Sequence, residues 1–335
     1  MKTYYITGIS GFLGRNIVKE ILSREPDADI VGFVLPNDKN KDFSMYGKEP
    51  LLIEGNILNK EDVKRFLSTP GKEYKVLIHA AGRISVYKKG DPLTTTINVE
   101  GTKIVTDAAI ECGINKMIYV SSVDALDKHL GNETIYEQSR YDETKVDGVY
   151  SKSKANASNY VLDKANKDFE VVVVNPSAIM GPNDPFGAPI NIAIKKAINN
   201  KLPAITKGGY DIVDVRDVAK GIVELIEKGQ NKESYILSGE YISVKDLMGL
   251  ASEISGAKKV TFTIPHFLIK LISPFIELYA RITHKKPLFT GFSMDCLSQN
   301  SNYSHDKMTS LTGYKPLSIK ESLIDTISWM KKTNY

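Results

Sequence analysis

The chain has 335 residues, of which 42% are hydrophobic and 25% charged, and its formal net charge is +4. These values are typical of a soluble globular protein, and the length suits one large domain or a domain with a smaller lobe. The net charge is small and the basic runs are short, which excludes a nucleic-acid-binding surface. Cys112 and Cys296 lack CxxC spacing, so we expect no disulfide framework, no metal site and a reducing, cytoplasmic compartment.

Short Val/Ile-rich runs alternate with helical patterns in the first half of the chain. The predicted strands are TYYIT, DIVGFVL, PLLIEGN, YKVLIHAAG, KMIYVSS and FEVVVVNPS. Buried strands that alternate with helices form a parallel sheet covered on both faces, and the crossover rule makes that sheet doubly wound. We therefore predict an α/β fold of the Rossmann type.

The regular alternation weakens after Pro176, where GPNDPFGAP is typical of a loop. One further strand and helix follow in DIVDVRDVAKGIVELIEKG, and an amphipathic helix is predicted from Ser318 to about Lys331. The segment 264–282 is apolar, but it contains a proline and several charges. We expect a kinked amphipathic helix there rather than a membrane span.

This pattern predicts two parts. A dinucleotide-binding domain comprises residues 1–180, and residues 211–238 return to it. A smaller, mixed α/β substrate lobe comprises residues 181–210 and 239–335.

The text TGISGFLG places Gly8, Gly11 and Gly14 between a predicted strand and a predicted helix. Glycine allows a tight turn and a close approach of the backbone to a pyrophosphate, and the helix N-terminus offers N–H donors. We therefore predict a dinucleotide phosphate site at this turn.

Two Tyr-x-x-x-Lys pairs compete for a catalytic role, Tyr141 with Lys145 and Tyr150 with Lys154. A lysine one helical turn after a tyrosine can lower the pKa of the phenol. Carboxylates follow Tyr141 directly and would raise its pKa instead. We expect Tyr141 and Lys145 to lie at the surface.

Six motifs in order resemble the extended branch of the short-chain dehydrogenase/reductases. They are TGISGFLG, HAAG, NVEGT, YVSS, NPSAIMGP and DIVDVRDVA. Within that branch the chain is most similar to dihydroflavonol 4-reductase and 3β-hydroxysteroid dehydrogenase-like members. The resemblance implies an NAD(P)(H)-dependent oxidoreductase that interconverts a ketone or aldehyde and an alcohol on a largely apolar small molecule. The alternatives are a nucleotide-sugar epimerase or dehydratase and, less favoured, a non-catalytic dinucleotide-binding regulator.

The resemblance also implies the catalytic residues, because YSKSK matches the family pattern Tyr-x-x-Ser-Lys. Tyr150 is then the acid/base, and Ser122 binds the substrate oxygen. Lys154 lowers the pKa of Tyr150 and holds the nicotinamide ribose. Asn98 either orders a proton-relay water or bends its helix as a structural residue.

The resemblance implies a larger set of cofactor-binding residues along the edge of the sheet. The set is Gly8, Ser10, Gly11, Phe12, Leu13, Gly14, Leu35, Lys39, Asn56, Ile57, Ala80, Ala81, Gly82, Ser121, Tyr150, Lys154, Asn175, Pro176 and Ser177.

Two of these positions depart from the family pattern. Asn56 replaces the aspartate that contacts adenine. Val34 or Leu35 occupies the position where the family has an aspartate for NAD or an arginine for NADP. Asp38 favours NAD, whereas Lys39 and Lys41 would suit a 2′-phosphate. We expect NADP or NAD, with a slight preference for NADP.

An apolar stretch in the lobe bears on the substrate. Between Phe262 and Phe292 it contains Phe267, Leu268, Leu271, Ile272, Phe275, Leu278, Tyr279 and Phe289. These residues either line a pocket for an apolar substrate or pack the lobe's own core. A sugar diphosphate would instead require cations such as Arg281, Lys285 and Lys286. The expected partners are a small carbonyl or alcohol substrate and, at most, a second copy of the chain.

Overall fold

The computed structural model describes residues 2–85, 91–128, 131, 133–269, 271, 273, 291–333 and 335. Its strands are β1 (Lys2–Thr7), β2 (Asp29–Val34), β3 (Leu51–Glu54), β4 (Tyr74–His79), β5 (Lys116–Val120), β6 (Glu170–Pro176), β7 (Ala178–Met180), β8 (Ile205–Thr206), β9 (Gly209–Asp214), β10 (Glu233–Leu237), β11 (Glu240–Ser243) and β12 (Thr263–Ile264). Its α-helices are α1 (Phe12–Arg24), α2 (Lys60–Leu67), α3 (Pro92–Thr95), α4 (Thr102–Glu111), α5 (Gly148–Lys164), α6 (Pro189–Ile198), α7 (Val215–Lys228), α8 (Val244–Ser255), α9 (Gly291–Leu297), α10 (Asp306–Thr312) and α11 (Ile319–Thr333).

A seven-stranded sheet in the order β10-β6-β5-β4-β1-β2-β3 forms the centre of the described structure. Every neighbouring pair in it is parallel. The chain runs outward from β1 to β2 on one side, and β4 lies on the other side of β1. Ligands of such sheets bind at the carboxyl ends of the strands where the order reverses. The doubly wound fold predicted from the Val/Ile-rich runs is confirmed.

Successive side chains of the central strands point to opposite faces of the sheet, which explains why the strands are apolar throughout. In β1, Tyr4 and Ile6 pack into one core and Tyr5 packs into the other. The first core lies under α1 and α7, and the second lies under α2, α4 and α5. Both faces of the sheet are therefore covered, and its carboxyl edge remains as the place for a site.

The remaining strands form a smaller lobe. β9 pairs with β7 and β11 in a three-stranded sheet, while β8 and β12 form a two-stranded one. Within the segment 211–238, α7 and β10 therefore return to the large sheet, but the β9 residues 211–214 stay in the small one. We propose the division into a dinucleotide-binding domain and a substrate lobe, with residues 211–214 assigned to the lobe.

The apolar stretch of the lobe is only partly within the described residues. Ile272, Phe275, Leu278, Tyr279, Arg281, Lys285, Lys286 and Phe289 lie outside them, as does most of the kinked helix predicted over 264–282. Of the others, Phe267, Leu268 and Leu271 are exposed and Phe292 is buried. Across the part of the chain that the structure describes, no helix has the length and apolarity to cross a bilayer.

Candidate active site

The glycine turn joins β1 to α1 and packs against the end of β4. Gly8 has φ +70°, and a Cβ there would lie 2.8 Å from the Ala81 nitrogen. Thr7 holds the end of β1 against the residues that follow β4. The Ala80 N–H donates to the Thr7 carbonyl oxygen at 3.2 Å, and the Ala81 N–H donates to the Thr7 hydroxyl at 3.3 Å. A Cβ on Gly14 would lie 2.2 Å from the Gly8 carbonyl oxygen, so α1 fits against the turn only because residue 14 is glycine.

Gly11 has more open space around it than Gly8 and Gly14. A Cβ there would meet only the Gly8 carbonyl oxygen within 4 Å, at 3.0 Å, so its Cα faces open space. Gly11 is the N-cap of α1 and no side chain caps that helix. The first N–H groups of a helix lack intrahelical partners and attract anions. This open turn fits the pyrophosphate of a dinucleotide, with Gly8, Gly11, Phe12, Leu13 and Gly14 as its backbone cradle.

After β2, Asp38 lies against the glycine turn. Its carboxylate accepts hydrogen bonds from the Ser10 hydroxyl and, at 2.8 Å, from the Asn40 N–H. Leu35 is exposed nearby, as is Lys39. Lys41 is engaged elsewhere, since its ammonium lies 2.8 Å from the Pro36 carbonyl oxygen and 2.5 Å from Glu54.

The residues predicted to contact adenine lie after β3. Asn56 is exposed, and its side-chain oxygen accepts the Leu58 N–H at 3.0 Å. Ile57 packs against Gly101 at the start of α4. Asn56 therefore shapes this loop, and one lone pair of its oxygen stays available for an adenine amine.

Lys154 and the end of β4 meet at the centre of the site. A Cβ on Gly82 would lie 3.3 Å from the Lys154 ammonium nitrogen. The ammonium donates to the Val120 carbonyl oxygen at 2.7 Å and lies 5.1 Å from the centre of the Tyr119 ring. Burial lowers the pKa of Lys154 to about 8. The structure thus places this lysine beside Gly82, which follows the Ala80 and Ala81 backbone against which the glycine turn packs.

Tyr150 lies on the first turn of α5, and Ser122 lies just after β5. Burial raises the pKa of the Tyr150 phenol and Asp124 adds to that rise, whereas a hydrogen bond with Ser122 and the charge of Lys128 lower it. Lys154 follows one helical turn later on α5, and its ammonium donates to the Val120 carbonyl oxygen. The catalytic roles of Ser122, Tyr150 and Lys154 stay a prediction.

Asn98 is buried, and three hydrogen bonds to protein groups engage both its NH₂ protons and its side-chain oxygen. Its side-chain oxygen accepts the Arg83 N–H at 2.8 Å, and its NH₂ group donates to the Arg83 carbonyl at 3.0 Å and to the Ser153 hydroxyl at 2.9 Å. It lies in a π-helical turn, Thr96–Gly101. These contacts favour the structural alternative, in which Asn98 ties the loop after β4 to α5.

Three further predicted residues flank the site. Ser121 faces α5, where its hydroxyl lies 2.7 Å from that of Ser158. Pro176 ends β6, and the buried Ser177 follows it, with its N–H donating to the Leu237 carbonyl at 3.1 Å. Ser121 thus supports the helix that carries Tyr150 and Lys154.

Two predictions need correction. Tyr141 does not lie at the surface: it is 3% exposed, and Asn159 of α5 binds both its N–H and its carbonyl. Its phenol pairs with Asn175, whose NH₂ group donates to it at 2.9 Å. Asn175 is therefore turned toward Tyr141 rather than toward the cofactor cradle. Burial raises the pKa of Tyr141 to about 12. Lys145 is at the surface, paired with Asp127.

Two charged residues at the site were not predicted. Asp124 and Lys128 form an ion pair at 2.5 Å in the segment after β5. Phe292 of α9 packs directly on Gly148, next to Tyr150, and so brings the lobe against the site. No periodicity marks isolated charges in a loop, and only their spacing of four residues relates them in the sequence.

The comparison with protein families decides the assignment. The 3-beta hydroxysteroid dehydrogenase/isomerase family matches residues 5–242, which is most of the chain. The chain belongs to this family. The resemblance to extended short-chain dehydrogenase/reductases is confirmed.

Similar proteins match over nearly their full length. A putative dihydroflavonol 4-reductase from Synechocystis sp. is 26% identical, with 99% of this chain and 95% of that protein covered. Sterol-4-alpha-carboxylate 3-dehydrogenase ERG26, decarboxylating, from Saccharomyces cerevisiae is 25% identical, with 97% of each covered. The crystal structure of UDP-glucose 4-epimerase from Thermotoga maritima has a TM-score of 0.77 at 21% identity and covers 99% of this chain and 100% of that one. At that identity the epimerase shows the fold alone.

Membership of this family establishes the general class of activity. The chain is an NAD(P)-dependent oxidoreductase that acts on hydroxyl and carbonyl groups. The cradle of open backbone around Gly11 fits the dinucleotide that this activity requires.

Proposed function

We propose that this protein interconverts a ketone and a secondary alcohol on a largely apolar, polycyclic small molecule, with Ser122, Tyr150 and Lys154 as its catalytic residues. The observation that carries the proposal is the position of Lys154. Its ammonium lies beside Gly82, just after the Ala80 and Ala81 backbone against which the glycine turn packs, and Tyr150 lies one turn earlier on the same helix. One turn of α5 thereby connects the proposed proton donor, Tyr150, with the lysine that faces the cofactor side of the site.

Each residue has a separate task at the substrate oxygen. Ser122 donates a hydrogen bond that orients the carbonyl, and Tyr150 supplies the proton that this oxygen gains on reduction or takes it back on oxidation. Lys154 would hold the nicotinamide ribose. When bound, the dinucleotide supplies or accepts the hydride.

We further propose that the cofactor is NAD(H), against the slight preference for NADP expected from the sequence. The carboxylate of Asp38 is held beside the turn by Ser10 and Asn40. A carboxylate at this place accepts ribose hydroxyls and repels a 2′-phosphate. Lys41, one of the two lysines that would favour NADP, is already paired with Glu54.

Two expectations about the protein's surroundings stay predictions, namely a cytoplasmic location and assembly as a homodimer. Light scattering on the purified protein would measure its mass directly and so decide between monomer and dimer.

The test is a turnover screen in which NADH or NADPH is oxidised by steroid ketones, flavonoid ketones or simple aldehydes. We expect turnover with one of the polycyclic ketones and loss of that turnover in Tyr150→Phe. Turnover that survives in Tyr150→Phe would contradict the catalytic assignment.

A further inference from the structure

The lobe contains a pocket of about 470 Å³ between the loop after β7, the helix α6 and Tyr335, which follows α11. None of the residues predicted for catalysis or cofactor binding lines it. Its volume lies in the range of sites that hold small organic molecules. The pocket is therefore separate from the place of the dinucleotide and large enough for a ligand of its own.

A buried carboxylate holds the walls of this pocket in place. Asp184 is 1% exposed, and it accepts the N–H groups of residues 186, 187 and 188 at 2.5–3.2 Å. It also accepts the Asn191 NH₂ group of α6 at 3.0 Å and the Tyr335 hydroxyl at 2.9 Å. One side chain thus joins all three walls, so they need little ordering when a ligand binds.

The walls offer rings and apolar surface. Phe186 lines the pocket and is 56% exposed, and Ile192 lines it from α6. The ring of Tyr335 lies 4.6 Å from that of Trp329, which supports it from behind. A planar aromatic molecule can pack against such rings, and a large exposed Phe in a pocket favours an aromatic ligand.

Three lysines give the same pocket a positive charge, namely Lys195, Lys196 and Lys201. The Lys195 ammonium lies 4.9 Å from the centre of the Tyr335 ring. Within the described parts of the chain, none of the three forms an ion pair. Like charges around one pocket repel each other, and an anionic group bound among them removes that repulsion and accepts charge-assisted hydrogen bonds.

We propose that this pocket binds a small planar aromatic anion, such as an aryl carboxylate. Its ring packs against Phe186 and Tyr335, and its anionic group lies at the three lysines. A simple inorganic anion would use the lysines alone, and a neutral aromatic molecule would use the walls alone. The inference goes beyond the proposed catalytic function and does not depend on it, because the two sites share no residue.

The experiment uses naphthoate as the probe, and calorimetry measures its affinity for the full chain. Naphthamide has the same rings without the charge, and inorganic phosphate has charge without rings. Naphthoate should bind at least about tenfold more tightly than either compound, because only naphthoate gains both the packing and the charge-assisted hydrogen bonds.

Two variants remove one feature each. Lys195→Met with Lys196→Met removes two cations and should weaken naphthoate by about tenfold or more. Phe186→Ser removes an aromatic wall and should also weaken it. The matched control is Lys152→Met with Lys167→Met, which loses the same charge at two exposed lysines outside the pocket and should bind naphthoate as the wild type does.

Trp329 shows where the probe binds. It is the only tryptophan of the chain, and its ring contacts that of Tyr335. In protein labelled with fluorotryptophan, the single fluorine NMR resonance should shift as naphthoate is added, with the midpoint that calorimetry gives. Binding in the active site instead would leave this resonance where it is.

The inference is overturned if naphthamide binds as tightly as naphthoate, or if the resonance of Trp329 does not move. It is equally overturned if the Lys195→Met, Lys196→Met protein, shown to be folded by thermal unfolding, keeps the naphthoate affinity of the wild type. Phosphate that binds as tightly as naphthoate would contradict an aromatic ligand. The proposed function is tested separately, by the turnover of Tyr150→Phe.

Discussion

The ammonium of Lys154 lies 2.7 Å from the carbonyl oxygen of Val120, at the end of β5. This contact anchors α5 to the carboxyl edge of the central sheet, where the glycine turn and the end of β4 also converge. It places a buried cation beside Gly82, which follows β4, and one helical turn after Tyr150.

Lys154 should make the stability of the dinucleotide-free protein depend on pH. Its pKa falls from 10.5 in the unfolded chain to about 8 in the fold, because it is buried. Between these two pH values the unfolded chain binds more protons than the folded protein, so the free energy of unfolding rises with pH across this window. Below the window the full cost of burying the charged ammonium is present. Lys154→Met should remove that slope and raise the free energy of unfolding at neutral pH by ~2 kcal/mol.

Urea unfolding of the two proteins at several pH values measures this difference. Lys152→Met is the control, because Lys152 lies on the same helix but is exposed. If the free energy of unfolding changed with pH in the same way for the wild type and Lys154→Met, burial would not lower the pKa of this lysine.

The two tyrosines should separate chemistry from folding. Tyr150→Phe removes only the transferable proton, so turnover should fall by about 10²–10⁴-fold with little change in dinucleotide affinity. Tyr141→Phe leaves Asn175 without its buried partner and should cost about 1–3 kcal/mol of stability while turnover is retained. Steady-state kinetics and chemical unfolding measure the two effects, and an inactive but stable Tyr141→Phe would reverse the assignment.

The contrast between these tyrosines shows what the sequence could and could not supply. The alternation of Val/Ile-rich runs was enough for six of the seven strands of the central sheet, all but β10, and the Tyr-x-x-Ser-Lys pattern was enough to prefer Tyr150. The burial of Tyr141 was missed because its neighbours Asp142 and Glu143 are exposed, as their charge indicates, while its own ring turns inward. That orientation depends on Asn159 and Asn175, which are distant in the sequence and come together only in the fold.

The glycines of the turn should respond differently to alanine. In Gly14→Ala the new methyl group meets the Gly8 carbonyl oxygen at 2.2 Å, so overpacking should destabilise the fold by about 1–3 kcal/mol. In Gly11→Ala the fold should persist, because the backbone there is extended and open, but the methyl group occupies the space of the pyrophosphate. Dinucleotide affinity should fall by about tenfold or more, that is ~1.4 kcal/mol.

Thermal shifts with and without NADH, together with fluorescence titrations, measure both effects. Unchanged NADH affinity in a folded Gly11→Ala protein would place the pyrophosphate elsewhere.

Cofactor preference is tested at the ribose side of the turn. Asp38→Asn should weaken NADH and improve NADPH, because the carboxylate that repels a 2′-phosphate is removed. The double change Lys39→Ala with Lys41→Ala should leave NADH unaffected. Titrating both dinucleotides against each variant gives the ratio of their affinities. The proposal would be contradicted if the wild type bound NADPH more tightly than NADH and the double lysine variant lost affinity for NADPH alone. That result would support the slight preference for NADP expected from the sequence.

The central claim is that this chain transfers hydride to the carbonyl carbon of an apolar ketone. The most direct measurement uses reduced dinucleotide that carries deuterium on both faces of nicotinamide C4, with steroid and flavonoid ketones offered beside UDP- and dTDP-sugars. The claim predicts an alcohol product with deuterium on its carbinol carbon and a loss of reduced dinucleotide equal to the product formed. Interconversion of a nucleotide sugar without net consumption of dinucleotide, and no deuterated alcohol from any ketone, would contradict it.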